Sequence, residues 1–262
     1  MNSKPIGLFD SGIGGTSIWK EVIQLLPNES TIYLADSINA PYGEKSETEI
    51  RSLCIKNTEL LLSKGCKLII VACNTATTNT IDYLRRNYNV PFIGIEPAIK
   101  PAALYSKTGA IGILATKGTL SSKLFAKTAN EYTKDIKVVE QIGEGLVPLI
   151  ESGKLDSDEI TQLLQEYLTP MLNQHIDHLV LGCTHYPYLI PSIKKIIGED
   201  INIIDSGEAV ARQTLNILKK HQILNTSTKN PHHQFFINIK KAVLQNILEN
   251  VNANLEINEL AF

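Results

Sequence analysis

Two cysteines, Cys73 and Cys183, occupy matching positions in the sequence, and their thiols are its most chemically suggestive groups. Each ends an apolar run, from Leu68 to Ala72 in one case and from Leu179 to Gly182 in the other. The carboxyl end of a buried strand, just before a helix, is where parallel α/β proteins place their active sites. Two thiols in such positions predict paired proton chemistry, in which one group takes a proton from one face of a carbon and the other returns one to the opposite face.

The residues beside Cys73 suit a polar ligand. Cys73 precedes Asn74 and Thr75 at the predicted start of a helix, where the positive end of the helix dipole favours the thiolate over the thiol. The amide and hydroxyl groups of Asn74 and Thr75 are able to hydrogen-bond a polar substrate. The sequence therefore predicts a reactive thiol in a polar binding site.

An imidazole accompanies the other thiol, because His185 lies two residues after Cys183. A zinc site built from Cys73, Cys183 and His185 is one interpretation, although the short ligand spacings of structural zinc sites are missing. A Cys/His nucleophilic hydrolase is another, but it leaves the second cysteine unexplained. Paired acid–base chemistry uses both thiols.

A glycine-rich turn from Asp10 to Thr16 follows a predicted strand and opens a helix. A dinucleotide site, a purely structural turn, and a turn that presents Asp10 and Ser11 to a small substrate are all compatible with this placement. Ser17 stands where the dinucleotide fingerprint has Gly or Ala, and Asp10 would put a carboxylate beside a pyrophosphate. Backbone N–H groups at the start of such a helix favour an anion, such as a carboxylate.

The remaining cysteines and the paired histidines have simpler interpretations. Cys54 lies on the apolar face of a helical pattern and Cys66 follows Gly65, so both are expected to be small buried or half-buried residues. The adjacent His232 and His233 lie in a polar stretch, which predicts a solvated surface turn.

Short apolar runs alternate with helical patterns along most of the chain, which predicts an α/β fold with parallel sheets covered by helices. The predicted strands are Ile6 to Phe9, Ile32 to Ala35, Leu68 to Ala72, Phe92 to Ile95, Ala110 to Leu114, Val138 to Val139, Leu179 to Leu181 and Ile201 to Ile204. Predicted helices include 16–26, 47–63, 156–173 and 209–220, and Phe235 to Ile237 reads as a further strand in the tail.

An internal duplication organises these elements. The segment Pro5 to Gly12 is echoed by Ala110 to Lys117, and Cys73 lies 66 positions after Gly7 while Cys183 lies 71 positions after Gly112. We therefore expect two similar parallel-sheet α/β domains related by pseudo-twofold symmetry, with the active site in the cleft between them. The expected domains are 1–97 plus 208–262, and 98–207.

Composition excludes several classes of function. The 262 residues include 25 basic and 27 acidic side chains, so no nucleic-acid partner is expected. Apolar stretches are strand-sized, so no membrane contact is expected, and Met1 to Lys4 lead directly into a strand pattern without a secretory signal. A cytoplasmic protein with reduced cysteines is the expectation.

At this point an ordered set of motifs resembles the glutamate racemases of the Asp/Glu racemase superfamily. The resemblance extends from Ile6 to about Arg212 and does not cover the tail. The motifs are Phe9-Asp10-Ser11-Gly12-Ile13-Gly14-Gly15, Pro41-Tyr42-Gly43, Ala72-Cys73-Asn74-Thr75-Ala76, Ala115-Thr116-Lys117-Gly118-Thr119, Val147-Pro148-Leu149-Ile150-Glu151-Ser152-Gly153 and Leu181-Gly182-Cys183-Thr184-His185-Tyr186-Pro187.

The resemblance implies an isomerase that interconverts L- and D-glutamate without cofactor or metal and supplies D-glutamate for peptidoglycan. Cys73 and Cys183 would exchange protons with the two faces of the α-carbon, with Asp10 assisting Cys73, and with Glu151 and His185 assisting Cys183. The substrate-binding set implied by the motifs is Asp10, Ser11, Tyr42, Gly43, Asn74, Thr75, Thr116, Thr119, Thr184 and His185.

Two alternatives stay open within this interpretation. Aspartate racemases share the two-cysteine layout, and His185 after Cys183-Thr184, where those enzymes tend to carry an acid, favours glutamate. A binding or regulatory protein that keeps the fold without the reaction is the other alternative. The resemblance also makes a homodimer possible, and no residue in the sequence selects one arrangement.

Overall fold

The computed structural model describes residues 3–227 and 230–262. Met1 and Asn2, which were expected to lead into the first strand, lie outside the described residues. The strands are β1 Ile6–Asp10, β2 Thr31–Ala35, β3 Leu68–Val71, β4 Phe92–Gly94, β5 Ala110–Ala115, β6 Lys137–Ile142, β7 His178–Gly182, β8 Asn202–Ile204, β9 His233–Ile237 and β10 Leu255–Glu259. The helices are α1 Thr16–Leu25, α2 Glu47–Ser63, α3 Asn74–Asn87, α4 Ile99–Tyr105, α5 Lys117–Leu120, α6 Lys123–Tyr132, α7 Leu146–Glu151, α8 Asp158–Leu172, α9 Ile190–Ile197, α10 Gly207–Lys220 and α11 Ala242–Leu248.

These elements form two parallel sheets. The first has the strand order β10-β9-β2-β1-β3-β4 and the second has the order β6-β5-β7-β8. The central strands β1, β3 and β7 are buried along their whole length, which is why they read as continuous apolar runs rather than as alternating patterns. The predicted α/β class and the predicted strands are confirmed.

The internal duplication corresponds to an equivalence between the sheets. The order β2-β1-β3-β4 in the first sheet matches β6-β5-β7-β8 in the second, strand for strand. Cys73 follows β3 by two residues and Cys183 follows β7 directly, so both thiols extend from the carboxyl ends of equivalent strands. The arrangement agrees with the expected pair of similar sheets that face a common cleft.

The tail extends the first sheet. β9 pairs in parallel with β2, from His233 opposite Thr31 to Ile237 opposite Ala35, and β10 pairs with β9. The edge of the Trp19 indole contacts the Phe235 ring, with ring centres 4.8 Å apart. This aromatic contact fastens the tail strand to helix α1.

The expectation of a solvated turn at His232 and His233 is wrong for His233, which is the first residue of β9 and only 2% exposed. Its Nδ1 lies 2.9 Å from the Thr31 hydroxyl, and its ring packs edge-on against Trp19. The polar sequence around it concealed a buried strand whose imidazole has a hydrogen-bond partner.

Local sequence explains where several helices begin. Ser46 and Glu49 form a reciprocal capping box at α2. Cys73 and Thr116 are themselves the N-cap residues of α3 and α5, and their side chains accept hydrogen bonds from the backbone N–H groups of Ala76 and Thr119. The strand-to-helix junctions thus place these side chains at one edge of each sheet.

The largest buried apolar cluster includes residues of both sheets, such as Leu8 of β1 and Leu114 of β5. The two sheets are therefore joined by continuous apolar packing beneath the junctions. No helix within the described residues is both long enough and apolar enough to span a membrane.

Candidate active site

A small cavity lies where the carboxyl ends of the two sets of strands meet, and its volume is about 250 Å³ including its open side. Most of the residues singled out in the sequence line it. The lining consists of Ser11, Pro41, Tyr42, Gly43, Cys73, Asn74, Thr75, Thr116, Val147, Cys183, Thr184 and His185. Asp10, Thr119 and Glu151 do not line the cavity and contact the lining side chains from behind. Both thiols thus face one enclosed space.

The helix that Cys73 caps determines the position of its sulfur. Its Sγ accepts a hydrogen bond of 3.4 Å from the backbone N–H of Ala76 and lies 3.8 Å from the Ser11 hydroxyl. Burial raises the pKa of Cys73 well above its usual value and the nearby Asp10 carboxylate raises it further, although the Ala76 N–H opposes both. The expected preference for the thiolate is therefore wrong for the free protein, because desolvation exceeds the effect of the helix terminus.

Cys183 has a hydrogen-bonded chain beside it. Its Sγ lies 3.7 Å from His185 Nδ1, and His185 Nε2 lies 2.5 Å from Glu151 Oε1. His185 Nε2 thus meets the Glu151 carboxyl group and is also approached by the backbone N–H of Gly14 at 3.3 Å, while Nδ1 faces the sulfur. Burial alone would lower the pKa of His185, but its hydrogen bonds to Cys183 and Glu151 raise that pKa well above the usual value. The chain favours an imidazolium beside the sulfur.

The glycine-rich turn holds this chain in place. The backbone N–H of Ile13 donates to Glu151 Oε1 at 2.7 Å. A Cβ at Gly12 would overlap the Glu151 carboxylate, and one at Gly14 would overlap the His185 ring. The carboxylate that the turn was expected to attract is therefore a side chain of the protein itself, and the two glycines allow it to approach.

Asp10 is fully buried and connects the two halves of the site. Its Oδ2 accepts from the backbone N–H groups of Gly12 and Gly15, both at 3.1 Å. Its Oδ1 accepts from the Thr184 hydroxyl at 3.2 Å. Burial raises the pKa of Asp10, while His185 and the two backbone donors oppose that rise. Since these N–H groups are already bonded, the turn offers no support for the dinucleotide interpretation.

Three threonine hydroxyls form a cluster at the other side of the cavity. Thr75 Oγ1 lies 2.8 Å from Thr116 Oγ1 and 3.3 Å from Thr119 Oγ1, and the last two are 3.0 Å apart. Thr75 and Thr116 line the cavity, whereas Thr119 is fully buried behind them. Hydroxyl groups that share protons in this way can turn to donate to a carboxylate.

Asn74 has unused hydrogen-bonding capacity. It is 2% exposed, and within the described residues neither its side-chain oxygen nor its nitrogen has a hydrogen-bond partner. Leaving a buried amide unpaired costs about 1–3 kcal/mol per group. Because Asn74 lines the cavity, a polar ligand bound there would satisfy it.

Neither metal chemistry nor an engaged disulfide is indicated by the described residues. All four cysteines are free, and no group of three His, Cys, Asp or Glu side chains in residues 3–227 and 230–262 could hold a metal ion. The zinc interpretation of Cys73, Cys183 and His185 therefore gains no support.

A second cavity adjoins the first and shares Pro41, Gly43, Thr116 and Val147 with it. It encloses about 680 Å³ including its open side, and Lys117 and Glu144 also line it. Pro41 and Val147 were not predicted from the sequence as site residues. A proline within a recognised motif and a valine in a helix carry no polar signal, so only the fold places them at this opening.

Two related α/β sheets each contribute one thiol to a shared cavity. The sequence matches the Asp/Glu/hydantoin racemase family over residues 6–214. The chain belongs to this family and is an isomerase of the amino-acid racemase class.

Individual relatives resemble most of the chain. A glutamate racemase of Ectopseudomonas mendocina (strain ymp) is 47% identical over 227 residues, which cover 86% of each sequence. A glutamate racemase from Bacillus anthracis superposes with a TM-score of 0.89 at 34% identity and covers 100% of this chain and 99% of its own. A Francisella tularensis glutamate racemase, solved in complex with D-glutamate, gives a TM-score of 0.84 at 29% identity over 100% and 98% of the two chains.

Proposed function

We propose that this protein interconverts L- and D-glutamate without a cofactor, with Cys73 and Cys183 as its two acid–base groups. The observation that carries the proposal is the placement of both thiols at the ends of equivalent strands, lining one cavity. A reaction that inverts a carbon needs a proton acceptor on one face and a proton donor on the other. A hydrolase would leave one of the thiols without a role.

The reaction proceeds by two proton transfers. One cysteine, as thiolate, takes the α-proton of glutamate. The C–H bond breaks and its electron pair stays on carbon, while an S–H bond forms on the cysteine. The thiol of the other cysteine then gives its proton to the opposite face of that carbon and becomes a thiolate. The roles of Cys73 and Cys183 are exchanged at the end of each turnover, so the reverse reaction starts from the product state.

Unequal helpers prepare the two thiols. His185, oriented by Glu151, faces the Cys183 sulfur at 3.7 Å and can hold a proton beside it. Asp10 and Ser11 lie on the Cys73 side, where Ser11 contacts the sulfur and Asp10 acts through its charge. These are the roles we assign to Asp10, Glu151 and His185.

The polar lining binds the substrate. Asn74 supplies an unpaired amide, and the cluster of Thr75, Thr116 and Thr119 supplies hydroxyl donors for a carboxylate. Ser11, Tyr42, Gly43 and Thr184, with His185, complete the binding set. In a closed cavity these dipoles face the substrate without competing water, which strengthens each contact as charge builds up on the α-carbon.

The proposed structural units are residues 1–97 plus 208–262 and residues 98–207. The cavity lies between them, so it would close when the two units come together. The pairing of β9 with β2 supports the assignment of the tail to the first unit. Relative movement of the units would open the site for exchange of substrate. We also propose a cytoplasmic enzyme, a homodimer, and a role in supplying D-glutamate for peptidoglycan, all by likeness to the family.

Glutamate is preferred over aspartate as substrate for two reasons. His185 occupies the position after Cys183-Thr184 where aspartate racemases tend to carry an acid. The Francisella tularensis relative was solved with D-glutamate bound.

A chiral assay of purified protein with L-glutamate, D-glutamate and both enantiomers of aspartate tests the proposal. We expect conversion of either glutamate enantiomer and little conversion of aspartate. Cys66→Ser, which removes a buried thiol that does not line the cavity, is the control for variants of Cys73 and Cys183 in the same assay. Faster turnover of aspartate, or no turnover of either amino acid by folded protein, would overturn it.

A further inference from the structure

We propose that Ser37 is a positioning residue of the active site, which acts on Cys183 through Glu151 and His185. This inference rests on the proposed function of those three residues. Ser37 belongs to none of the motifs recognised in the sequence and does not line the cavity. Its hydroxyl nevertheless donates a hydrogen bond of 2.8 Å to Glu151 Oε2.

The two oxygens of Glu151 have different partners. Oε1 accepts from the Ile13 N–H at 2.7 Å and faces His185 Nε2 at 2.5 Å. Within the described residues, the hydrogen bond to Oε2 comes from Ser37. A terminal carboxylate torsion is broad and soft unless both oxygens are held. Ser37 therefore fixes the rotation that keeps Oε1 directed at the imidazole.

Ser37 is itself held firmly by its neighbour. It is the first residue of a short 3-10 helix, Ser37–Asn39. The residue before it, Asp36, is fully buried. Asp36 accepts from Asn39 at 2.8 Å, from Asn238 at 2.6 Å and from the Tyr42 hydroxyl at 2.5 Å. The backbone that carries Ser37 is thus anchored by a carboxylate with several donors.

This anchoring joins two parts of the site. Asp36 accepts a hydrogen bond from Tyr42, which lines the cavity. Ser37, the next residue in the chain, donates one to Glu151, which lies behind His185. The bond from Ser37 to Glu151 crosses from the loop after β2 in the first sheet to helix α7 beside the second. Ser37 completes the chain that ends at Cys183 only when the two halves are together.

Removal of the hydroxyl should affect turnover more than binding. In Ser37→Ala we expect kcat to fall about tenfold, since a half-buried carboxylate oxygen loses its donor, with KM changed by less than about twofold. Because mirror-image amino acids have equal free energies, kcat/KM must fall by the same factor in both directions. Ser37→Thr, which keeps the hydroxyl, should restore most of the activity.

A double-mutant cycle separates this role from a general structural one. If Ser37 acts through Glu151, then Ser37→Ala should lower activity by less than about twofold in a Glu151→Gln background, because the carboxylate is already lost. Ser63→Ala is the matched control, since the exposed Ser63 hydroxyl bonds only to its own helix backbone at Leu60. Equal losses from Ser37→Ala in both backgrounds would overturn the inference.

Nitrogen-15 NMR of the histidine rings gives a readout that does not depend on activity. We expect Ser37→Ala to move both ring resonances of His185, assigned with a His185→Gln variant, towards the averaged values of a freely exchanging imidazole. Unchanged His185 resonances would overturn the inference. If the wild-type protein fails to racemise glutamate while these resonances still depend on Ser37, the proposed function is wrong and the positioning role stands.

Discussion

The two thiols have the same place in the topology and different chemical surroundings. Cys73 caps a long helix and takes its hydrogen bond from the backbone of Ala76, whereas Cys183 precedes a short 3-10 turn and faces the His185 imidazole. The equivalent strands determine where each sulfur lies, while the residues that follow each strand determine its hydrogen-bond partner. Duplication of a sheet thus gives two equivalent positions, and the unlike loops give the two sulfurs different neighbours.

Each half of the molecule also orients a helper that belongs to the other half. The Ile13 N–H and the Ser37 hydroxyl of the first half hold Glu151, the proposed helper of Cys183. The Thr184 hydroxyl of the second half bonds to Asp10, which lies on the Cys73 side. Neither set of helpers is complete without the opposite sheet, so the asymmetry between the thiols depends on contact between the halves.

The strongest test of the comparison removes each sulfur in turn. We expect Cys73→Ser and Cys183→Ser each to lower racemisation by roughly 10³-fold or more, because a hydroxyl is a far weaker acid than a thiol and does not ionise to give the base, and each face of the carbon needs its own group. Circular dichroism should show folded protein in both variants. Retention of near-normal racemisation by either variant would mean that the corresponding thiol is not an acid–base group.

The second test disturbs only the Cys183 side. Gly14→Ala places a methyl group against the His185 ring, so the imidazole must move away from Cys183, and we expect kcat to fall by about 10²-fold. Gly65→Ala is the control, because a Cβ there meets open space and only the backbone, at φ +79°, is strained. That control should lose thermal stability and keep its kcat. Equal kcat values for the two variants would mean that the glycine-rich turn does not position His185 beside Cys183.

A smaller effect is expected on the Cys73 side. Asp10→Asn removes a negative charge that raises the pKa of Cys73, so more thiolate should be present at a given pH. Iodoacetamide should then alkylate Cys73 at least about threefold faster between pH 7 and 9, as measured by peptide mapping. Cys54, buried away from the cavity, serves as the internal control in the same digest. An unchanged or slower rate at Cys73 would remove Asp10 from the account of its acidity.

Two buried imidazoles extend the comparison beyond the cavity. Anionic partners raise the pKa of His185, whereas burial lowers the pKa of His233 to about 4, with a smaller contribution from His232. The Thr31 hydroxyl accepts from Trp19 Nε1 at 2.8 Å and is free to donate to His233 Nδ1, a bond that requires the neutral ring. His233 is therefore held as a neutral ring by its buried partners.

This difference predicts a pH dependence of stability. The unfolded chain binds a proton at His233 near pH 6.5, and the folded protein does so only near pH 4. The folded protein should lose about 2 kcal/mol from this residue as the pH falls from 6.5 towards 4, and none above 6.5. Urea unfolding of wild type and His233→Gln at pH 7.5 and 4.5 measures it, with the exposed His221→Gln as control. An identical pH dependence in wild type and His233→Gln would contradict this assignment.

The sequence was sufficient for the features that follow from periodicity and duplication. Continuous apolar runs predicted the buried parallel strands, and the matching runs before Cys73 and Cys183 predicted equivalent positions for the thiols. Part of the polar lining, Ser11, Asn74 and Thr75, was predicted from the residues themselves, and the rest was predicted only by resemblance to a family. The lining includes Asn74, whose unpaired amide the structure then revealed.

Features that depend on packing across the fold were not predictable. The acidity of Cys73 was misjudged because a helix terminus is visible in sequence and the extent of desolvation is not. The partner of the glycine-rich turn, Glu151, lies about 140 residues away, and Ser37 contacts it from a loop with no motif. His233 was misplaced because its buried partners, Thr31 and Trp19, are distant in the chain.

Exchange of the α-proton with solvent tests the central claim most directly. Purified protein is incubated with L-glutamate in deuterated water, and the α-proton signal is followed by NMR, with and without added pyridoxal phosphate. Two exchanging thiols predict loss of the α-proton signal together with appearance of α-deuterated D-glutamate, at the same rate with or without the added compound. No exchange, or exchange only when pyridoxal phosphate is present, would contradict the account.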